Sequence, residues 1–472
     1  MFYNILKVLI FIHPICGFVF DGRFKHLVKE VTSLIQFGPP VHETKWLEQK
    51  LDHFDDNENR KWKMQYFKRN DFWKPNGPVI LFIGGEAAAS PGFLYGGMAY
   101  ELAKETNGVI FASEHRYYGK SVPLKFNTVD DFKYLSARQS LADNAHLIRT
   151  IKLNPLYSKA KIVVIGGTYS GNLAAWMRLL YPELVDAAVA SSAPVLAKKD
   201  FYEYLEKVND VYEKYGTNDC LAKIKDKFKR YETLLESQDG IEQLKKEENI
   251  CPDTDLSVPE NKQTFFLTKT SEFMGEVQYG RVDDIKYRCE HFNETIESQL
   301  DVEPNLWREE SQCHDYDFNR MVDYSYKNKS SFIACWTYQT CTEFGYFQSS
   351  TSSKQPFTNN IPVDYYVKLC MKAFGSEFND TRVDNGINKV NDIYEGLHPN
   401  VTKVVFVNGD MDPWSTIGIL EDVSHDAPAI IIPRASHCRD LVVSHNDEVE
   451  LQEAVKHIKD LIKKWIGVGE FI

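Results

Sequence analysis

Residues 161–177 read Lys161-Ile162-Val163-Val164-Ile165-Gly166-Gly167-Thr168-Tyr169-Ser170-Gly171-Asn172-Leu173-Ala174-Ala175-Trp176-Met177. The first five form a short β-branched run, and the last five are good helix formers. A strand that runs through a glycine-rich turn into a helix is the setting of a nucleophile elbow, G-x-S-x-G. Thr168 stands where that pattern has serine, and a serine follows two residues later, at Ser170. The stretch therefore admits a threonine nucleophile, a displaced serine, or a turn that has lost its chemistry.

Working outward, strands alternate with helical segments on both sides of the elbow. Pro78–Ile83, Val109–Ala112, Lys161–Ile165 and Ala187–Ala190 read as buried strands, with helices over Tyr100–Lys104 and Leu135–Thr150. Lys403–Val407 and Ala429–Ile432 read as two more strands. A last helix places Leu451, Val455, Ile458, Ile462 and Trp465 on one face. Such alternation implies an α/β fold with a mostly parallel sheet and helices on both faces. Between these regions, two amphipathic stripes (Phe201 to Tyr212, and Leu221 to Leu235), dense charge and seven cysteines suggest a mostly helical, disulfide-braced insertion. The expected organisation is a signal at 1–20, an α/β-hydrolase sheet over 21–194 and 401–472, and a helical cap inserted at 195–400.

In that fold the catalytic groups follow the chain order nucleophile, acid, histidine, each just past a sheet strand. Thr168, Asp412 (in Asn408-Gly409-Asp410-Met411-Asp412-Pro413-Trp414) and His437 satisfy the order. The histidine would take the hydroxyl proton and return it to the leaving amine, while the aspartate fixes its tautomer. Two backbone N–H groups would stabilise the oxyanion: that of Tyr169, and one from the early loop Ile83-Gly84-Gly85-Glu86, at Gly85. The long gap from nucleophile to acid requires the insertion to loop out between sheet strands, where a cap would wall the pocket.

The 472 residues carry a net charge of −12, against the Lys/Arg clusters that nucleic-acid binding needs. The start, MFYNILKVLIFIHPICGF, has the early charge, apolar core and small residue of a secretory signal, and no other run is long enough to span a membrane. Nine cysteines are present; Cys16 falls in the signal, and the remaining eight suit an exported, disulfide-bonded chain. Eight cysteines allow about 105 pairings, so sequence alone does not pair them. Sequons at Asn293, Asn328, Asn379 and Asn400 fit a secreted or lysosomal glycoprotein. No metal or organic cofactor is implied.

The motifs reach well beyond the elbow. Gln49-Lys50-Leu51-Asp52-His53-Phe54, Phe82–Glu86, Glu114-His115-Arg116-Tyr117-Tyr118-Gly119-Lys120-Ser121, Tyr134-Leu135-Ser136, Leu141-Ala142-Asp143, Ala190–Pro194, Trp336–Gly345, Asp412–Ser415 and Ser436-His437-Cys438 together resemble one family of serine exopeptidases. It is the prolylcarboxypeptidase, dipeptidyl peptidase II and thymus-specific serine protease family, and Trp336–Gly345 looks closest to the thymus-specific branch. The resemblance implies a peptide substrate, cleavage next to proline in the best-known members, a pocket tryptophan at Trp414, a role near the substrate's free end for Glu86, and a Cys341–Cys370 disulfide. Members often pair, so a homodimer is also admitted. An esterase or lipase on the same sheet is disfavoured by the reach of these motifs.

Two departures from the family pattern bear on activity. Thr168 replaces the serine, and Asn172 stands where prolyl-specific members often carry a pocket methionine. An elbow residue has positive φ, a strain of order 1–3 kcal/mol that branching at Cβ makes worse. Other threonine nucleophiles use a free N-terminal amine as base, which an internal residue lacks. Ser170 is two residues on, off the face of the helix that Thr168 would present. The expectation is a serine-type exopeptidase with threonine as nucleophile; the alternative is a catalytically impaired, peptide-binding homologue.

Overall fold

A computed structural model describes residues 41–126, 128–292, 313–327, 332–444 and 446–468. The signal segment, Cys16, Asn293 and Asn328 lie outside the described residues. In chain order the strands are β1 (Glu43–Lys50), β2 (Lys61–Arg69), β3 (Val79–Phe82), β4 (Val109–Ser113), β5 (Ile162–Gly167), β6 (Ala187–Ser191), β7 (Lys198–Asp200), β8 (Gly345–Phe347), β9 (Val404–Gly409) and β10 (Ala429–Ile432). The helices are α1 (Met98–Thr106), α2 (Ala137–Leu153), α3 (Tyr169–Leu180), α4 (Glu203–Tyr215), α5 (Cys220–Leu234), α6 (Gln238–Glu247), α7 (Pro259–Tyr279), α8 (Val282–Glu290), α9 (Phe318–Lys327), α10 (Phe332–Gln339), α11 (Val363–Phe374), α12 (Asp380–Tyr394) and α13 (Val449–Ile466).

Eight strands make one sheet in the order β1-β2-β4-β3-β5-β6-β9-β10. The six from β4 to β10 run parallel, and β1 and β2 add an antiparallel edge. This is the α/β-hydrolase sheet. Strands covered on both faces need apolar side chains at successive positions, and β4, β5, β6 and β9 are buried throughout. The edge strand β10 exposes Ile431. In β2, Trp62 and Met64 are buried while Lys61 and Lys63 face water, the alternation of a strand with one wet face.

Helix α13 closes one face. Leu451, Val455, Ile458, Ile462 and Ile466 are buried at helical spacing against Ile110, Ala187, Val405 and their neighbours, with Trp465 partly buried beside them. Each such side chain contributes about 1.5–3 kcal/mol by leaving water.

By contacts the chain divides into two units. The sheet unit takes in 332–346 and 376–400, segments that the sequence reading assigned to the insertion. Short β7 and β8 form a separate two-stranded ribbon.

The second unit spans 200–292, 313–327 and 347–375 among the described residues. Tyr204, Leu205, Val208, Val211 and Tyr212 of α4 and Ile224, Phe228 and Tyr231 of α5 supply its buried stripes. Disulfides Cys220–Cys289 and Cys251–Cys313 brace it. Cys341 and Cys370 are disulfide-bonded too, whereas Cys335 and Cys438 are buried free thiols. Among the described residues no helix is long and apolar enough to cross a membrane.

Candidate active site

Parallel pairing in register brings the strand ends to one edge. Gly167 of β5 pairs with Ser191 of β6, Ser191 with Val407 of β9, and Gly409 of β9 with Ile432 of β10. The segments that follow carry Thr168, Asp412 and His437, so all three are delivered to the carboxyl edge of the sheet. Phe82 of β3 pairs with Ile165, which brings the Ile83–Glu86 loop to the same edge.

Thr168 has φ 55° and ψ −131°, the strained elbow conformation, immediately before α3. Backbone bonds hold it there. Its N–H donates to Ser191 O (3.0 Å), and its carbonyl accepts from Gly171 N (2.8 Å) and Asn172 N (3.2 Å). The side chain does not cap α3, and Thr168 is only partly buried while Gly167, Tyr169 and Ser170 are buried. A Cβ on Gly167 would lie 2.9 Å from Cys438 Sγ. The residue before the elbow threonine therefore abuts the residue after His437.

Asp412 and His437 form a buried pair, 0% and 3% exposed, with Asp412 Oδ2 2.9 Å from His437 Nδ1. Trp414 N–H donates to the other carboxylate oxygen at 3.0 Å. With Nδ1 engaged by the carboxylate, Nε2 is the ring nitrogen not bonded to Asp412. Burial by itself lowers the imidazole's pKa, but the Asp412 charge outweighs it and carries His437 well above its ordinary value. The two loops are tied together. Met411 N donates to Ala435 O (3.0 Å), and that carbonyl sits 2.1 Å from where a Cβ of Gly409 would be, so only glycine fits.

The Gly85 loop packs beside the elbow. A Cβ on Gly85 would meet Ser170 Cβ at 3.2 Å, which sets the Gly85 loop against the first turn of α3, at the positive end of its dipole. Glu86 is buried; burial pushes its carboxyl up to about 7, with nearby His437 pulling the other way. Ser170 is spent locally: its hydroxyl donates to Gly167 O (2.8 Å) and accepts from Gly167 N (3.0 Å).

Asn172 is fully buried, and its Nδ2 donates to Pro194 O (3.0 Å) and Tyr346 Oη (3.3 Å). Tyr346 meets Trp414 edge-to-face at 5.4 Å, and Trp414 lies 6.4 Å from the His437 ring. Asn172 and Trp414 thus join the histidine through two ring contacts. Asn379 and Asn400 are exposed; Asn379 caps α12 by accepting from Arg382 N.

The Glu114–Ser121 motif proves architectural. Arg116 is buried and pairs with Asp143 through Nε (2.6 Å) and Nη2 (2.8 Å), while His53 reaches the same carboxylate at 2.7 Å. Burial opposes the Asp143 charge, but Arg116 and His53 outweigh it and hold the carboxyl below its usual range. Glu114 accepts from Ala89 N, Lys120 N and Ser121 Oγ, shaping the turn beside the Gly85 loop.

Two groups at the site escaped sequence reasoning. Asp440, three residues after His437, accepts from Ser191 Oγ (2.5 Å), and burial lifts its carboxyl to about 6. The Tyr169 hydroxyl meets His115 and Gln339. Tyr169 lies in the quoted elbow and Asp440 two residues past the quoted Ser436-His437-Cys438, but which side chain each would meet depends on long-range packing.

Comparison with known proteins places the chain in a family. The profile of the family described as Serine carboxypeptidase S28 matches residues 49–458. A Caenorhabditis elegans protein with a serine-protease name is 32% identical over 466 residues, covering 93% of this chain and 91% of its own. Mouse thymus-specific serine protease is 29% identical, covering 89% and 87%. Bovine lysosomal Pro-X carboxypeptidase is 27% identical, covering 90% and 88%.

Proposed function

Because this chain belongs to the Serine carboxypeptidase S28 family, we propose that it is an exported peptidase acting at peptide ends, with Thr168 as nucleophile, His437 as base and Asp412 as its orienter. The observation that carries the reading is the buried Asp412–His437 bond on the same sheet edge as a strained Thr168. In the reaction, Thr168 Oγ1 attacks the scissile carbonyl and its proton passes to His437 Nε2. The oxyanion takes hydrogen bonds from the N–H groups of Tyr169 and Gly85. His437 then returns the proton to the leaving amine, and water hydrolyses the threonine ester by the same route in reverse.

Glu86, Trp414 and Asn172 are assigned to substrate binding, Glu86 toward the free end. Bonds next to proline are the first to test, since relatives carry the Pro-X carboxypeptidase name; Asn172 would make that pocket more polar than a methionine does. A secreted or lysosomal setting is supported by the disulfides and by relatives named as lysosomal. Glycans at the exposed Asn379 and Asn400, and a homodimer, belong to the same reading.

A second reading, a peptide-binding homologue with impaired turnover, is favoured by one observation: a β-branched residue at φ 55°. Dipeptide release and C-terminal residue release, assayed from acid to neutral pH beside Thr168→Ser and Thr168→Ala, separate the two. Wild type above the alanine variant supports the threonine nucleophile. Wild type equal to alanine, with the serine variant active, supports the binding homologue.

A further inference from the structure

The residue after the nucleophile is an unusually committed side chain. Tyr169 is 1% exposed, and its ring packs against His115, Trp336 and Phe344 at centroid distances of 5.5, 5.5 and 5.3 Å. Its hydroxyl lies 3.0 Å from His115 Nε2 and 3.1 Å from Gln339 Nε2.

The protons on Tyr169 and its two partners can be placed. His115 Nδ1 is 2.7 Å from the Arg116 carbonyl, which can only accept, so Nδ1 carries the hydrogen. Burial pushes the His115 imidazole down to about 4, so the ring is neutral and Nε2 is an acceptor. Tyr169 Oη–H therefore donates to His115 Nε2 and accepts from Gln339 Nε2–H. The second Gln339 N–H donates to Glu343 Oε2 (3.2 Å), which also accepts from Ala137 N (3.1 Å). Gln339 Oε1 accepts from Tyr118 Oη–H at 2.7 Å. No donor or acceptor competes for the same place, so the chain of bonds has one direction.

The backbone is bent to make this possible. After α10 the chain takes one π-turn, Thr340–Phe344, in which Gly345 N–H bonds back to Thr340 O. Gln339 and Glu343, at i and i+4, then both face the cluster. Such single π-turns recur at functional sites.

We propose that Tyr169 is a positioning residue: His115 and Gln339 clamp its phenol from two sides so that its backbone N–H stays aimed at the oxyanion beside the strained Thr168. This deepens the proposed function and rests on it for the identity of the oxyanion donor. It also explains why two motifs more than 200 residues apart, His115–Tyr118 and Gln339–Glu343, occur in one chain: they are the two jaws of one clamp. A tyrosine that merely filled the core would need its ring and one partner, without a directed bond on each side.

The test is Tyr169→Phe, which keeps the ring and removes only the hydroxyl, with Gln339→Met as the second variant. Both are made in wild type and in Thr168→Ser. Losing one oxyanion donor costs about 10²–10³ in kcat; misaiming it should cost about tenfold or more, with KM within about twofold. His115→Gln, which keeps an acceptor, should retain more kcat than His115→Leu. Amide hydrogen exchange is read in parallel on residues 166–172, where both variants should exchange faster while β3 and β9 stay protected. Unchanged kcat together with a lowered melting temperature makes Tyr169 structural only and overturns the proposal. If neither parent turns over peptide, the functional reading fails by itself. The clamp is then decided by exchange alone, and unchanged exchange at 166–172 overturns it.

Discussion

Thr168→Gly should stabilise this protein, although it deletes a side chain on the sheet edge that carries the Asp412–His437 pair. Thr168 is held at φ 55° and ψ −131° by three backbone hydrogen bonds, to Ser191 O and from Gly171 N and Asn172 N. All three survive the substitution. Holding a non-glycine residue in this region costs of order 1–3 kcal/mol. Glycine is at home there, but the more flexible unfolded chain takes back about 0.5–1 kcal/mol. The net gain is therefore about 0–2.5 kcal/mol, while peptidase activity vanishes. Thr168→Ala keeps a Cβ at positive φ and should fall below glycine. Urea titration of the full-length protein, followed by tryptophan fluorescence, reads the difference as a shift in midpoint at constant slope. A glycine variant less stable than wild type by more than about 1 kcal/mol would refute the strain argument, and with it the assignment of this turn as a loaded elbow.

Other perturbations follow from the same geometry. Asp412→Asn should cut turnover on the order of 10⁴-fold, because the amide no longer fixes the His437 tautomer; since Asp412 raises the His437 pKa, the acid limb of the residual pH–rate profile should move to lower pH, and a limb that stays put or moves up contradicts the pairing. Ser170→Ala should keep turnover and lose about 1 kcal/mol of stability, because the hydroxyl only bonds Gly167; complete loss of activity would make Ser170 the nucleophile. For Glu343, burial raises the folded pKa from 4.5 to about 7, so the folded state binds the extra proton between those values. Its favourable contribution is full below pH 4.5 and lost as pH rises through 7. Relative to Glu343→Gln, wild type should lose about 3 kcal/mol over that window; a flat or opposite difference in urea midpoints would contradict the burial.

Much of the sheet was legible because doubly covered strands are apolar at successive positions, as in Ile162–Ile165 and Val404–Val407. The edge was not: β1, Glu43–Lys50, is polar at most positions, and β2 is half charged, so neither has the buried-strand pattern. The placement of Thr168, Asp412 and His437 was legible because each candidate follows a strand, and the register brings all three to one edge. Asn172 and Trp414 came from resemblance alone, and Tyr346, which joins them, was not singled out. The clamp on Tyr169 and the Ser191–Asp440 bond are tertiary facts. Nothing in the spacing of Gln339 or Asp440 says which side chain lies opposite, because that is decided by a π-turn and by the in-register ends of β5 and β6.

Labelling native protein with an active-site-directed fluorophosphonate, and mapping the adduct by peptide mass, is the most direct test that Thr168 is the nucleophile of an assembled site. The account predicts a phosphonyl group on Thr168 Oγ1, absent from Thr168→Ala and from His437→Ala. An adduct on Ser170, or a native chain that stays unlabelled while Thr168→Ser reacts, would contradict it.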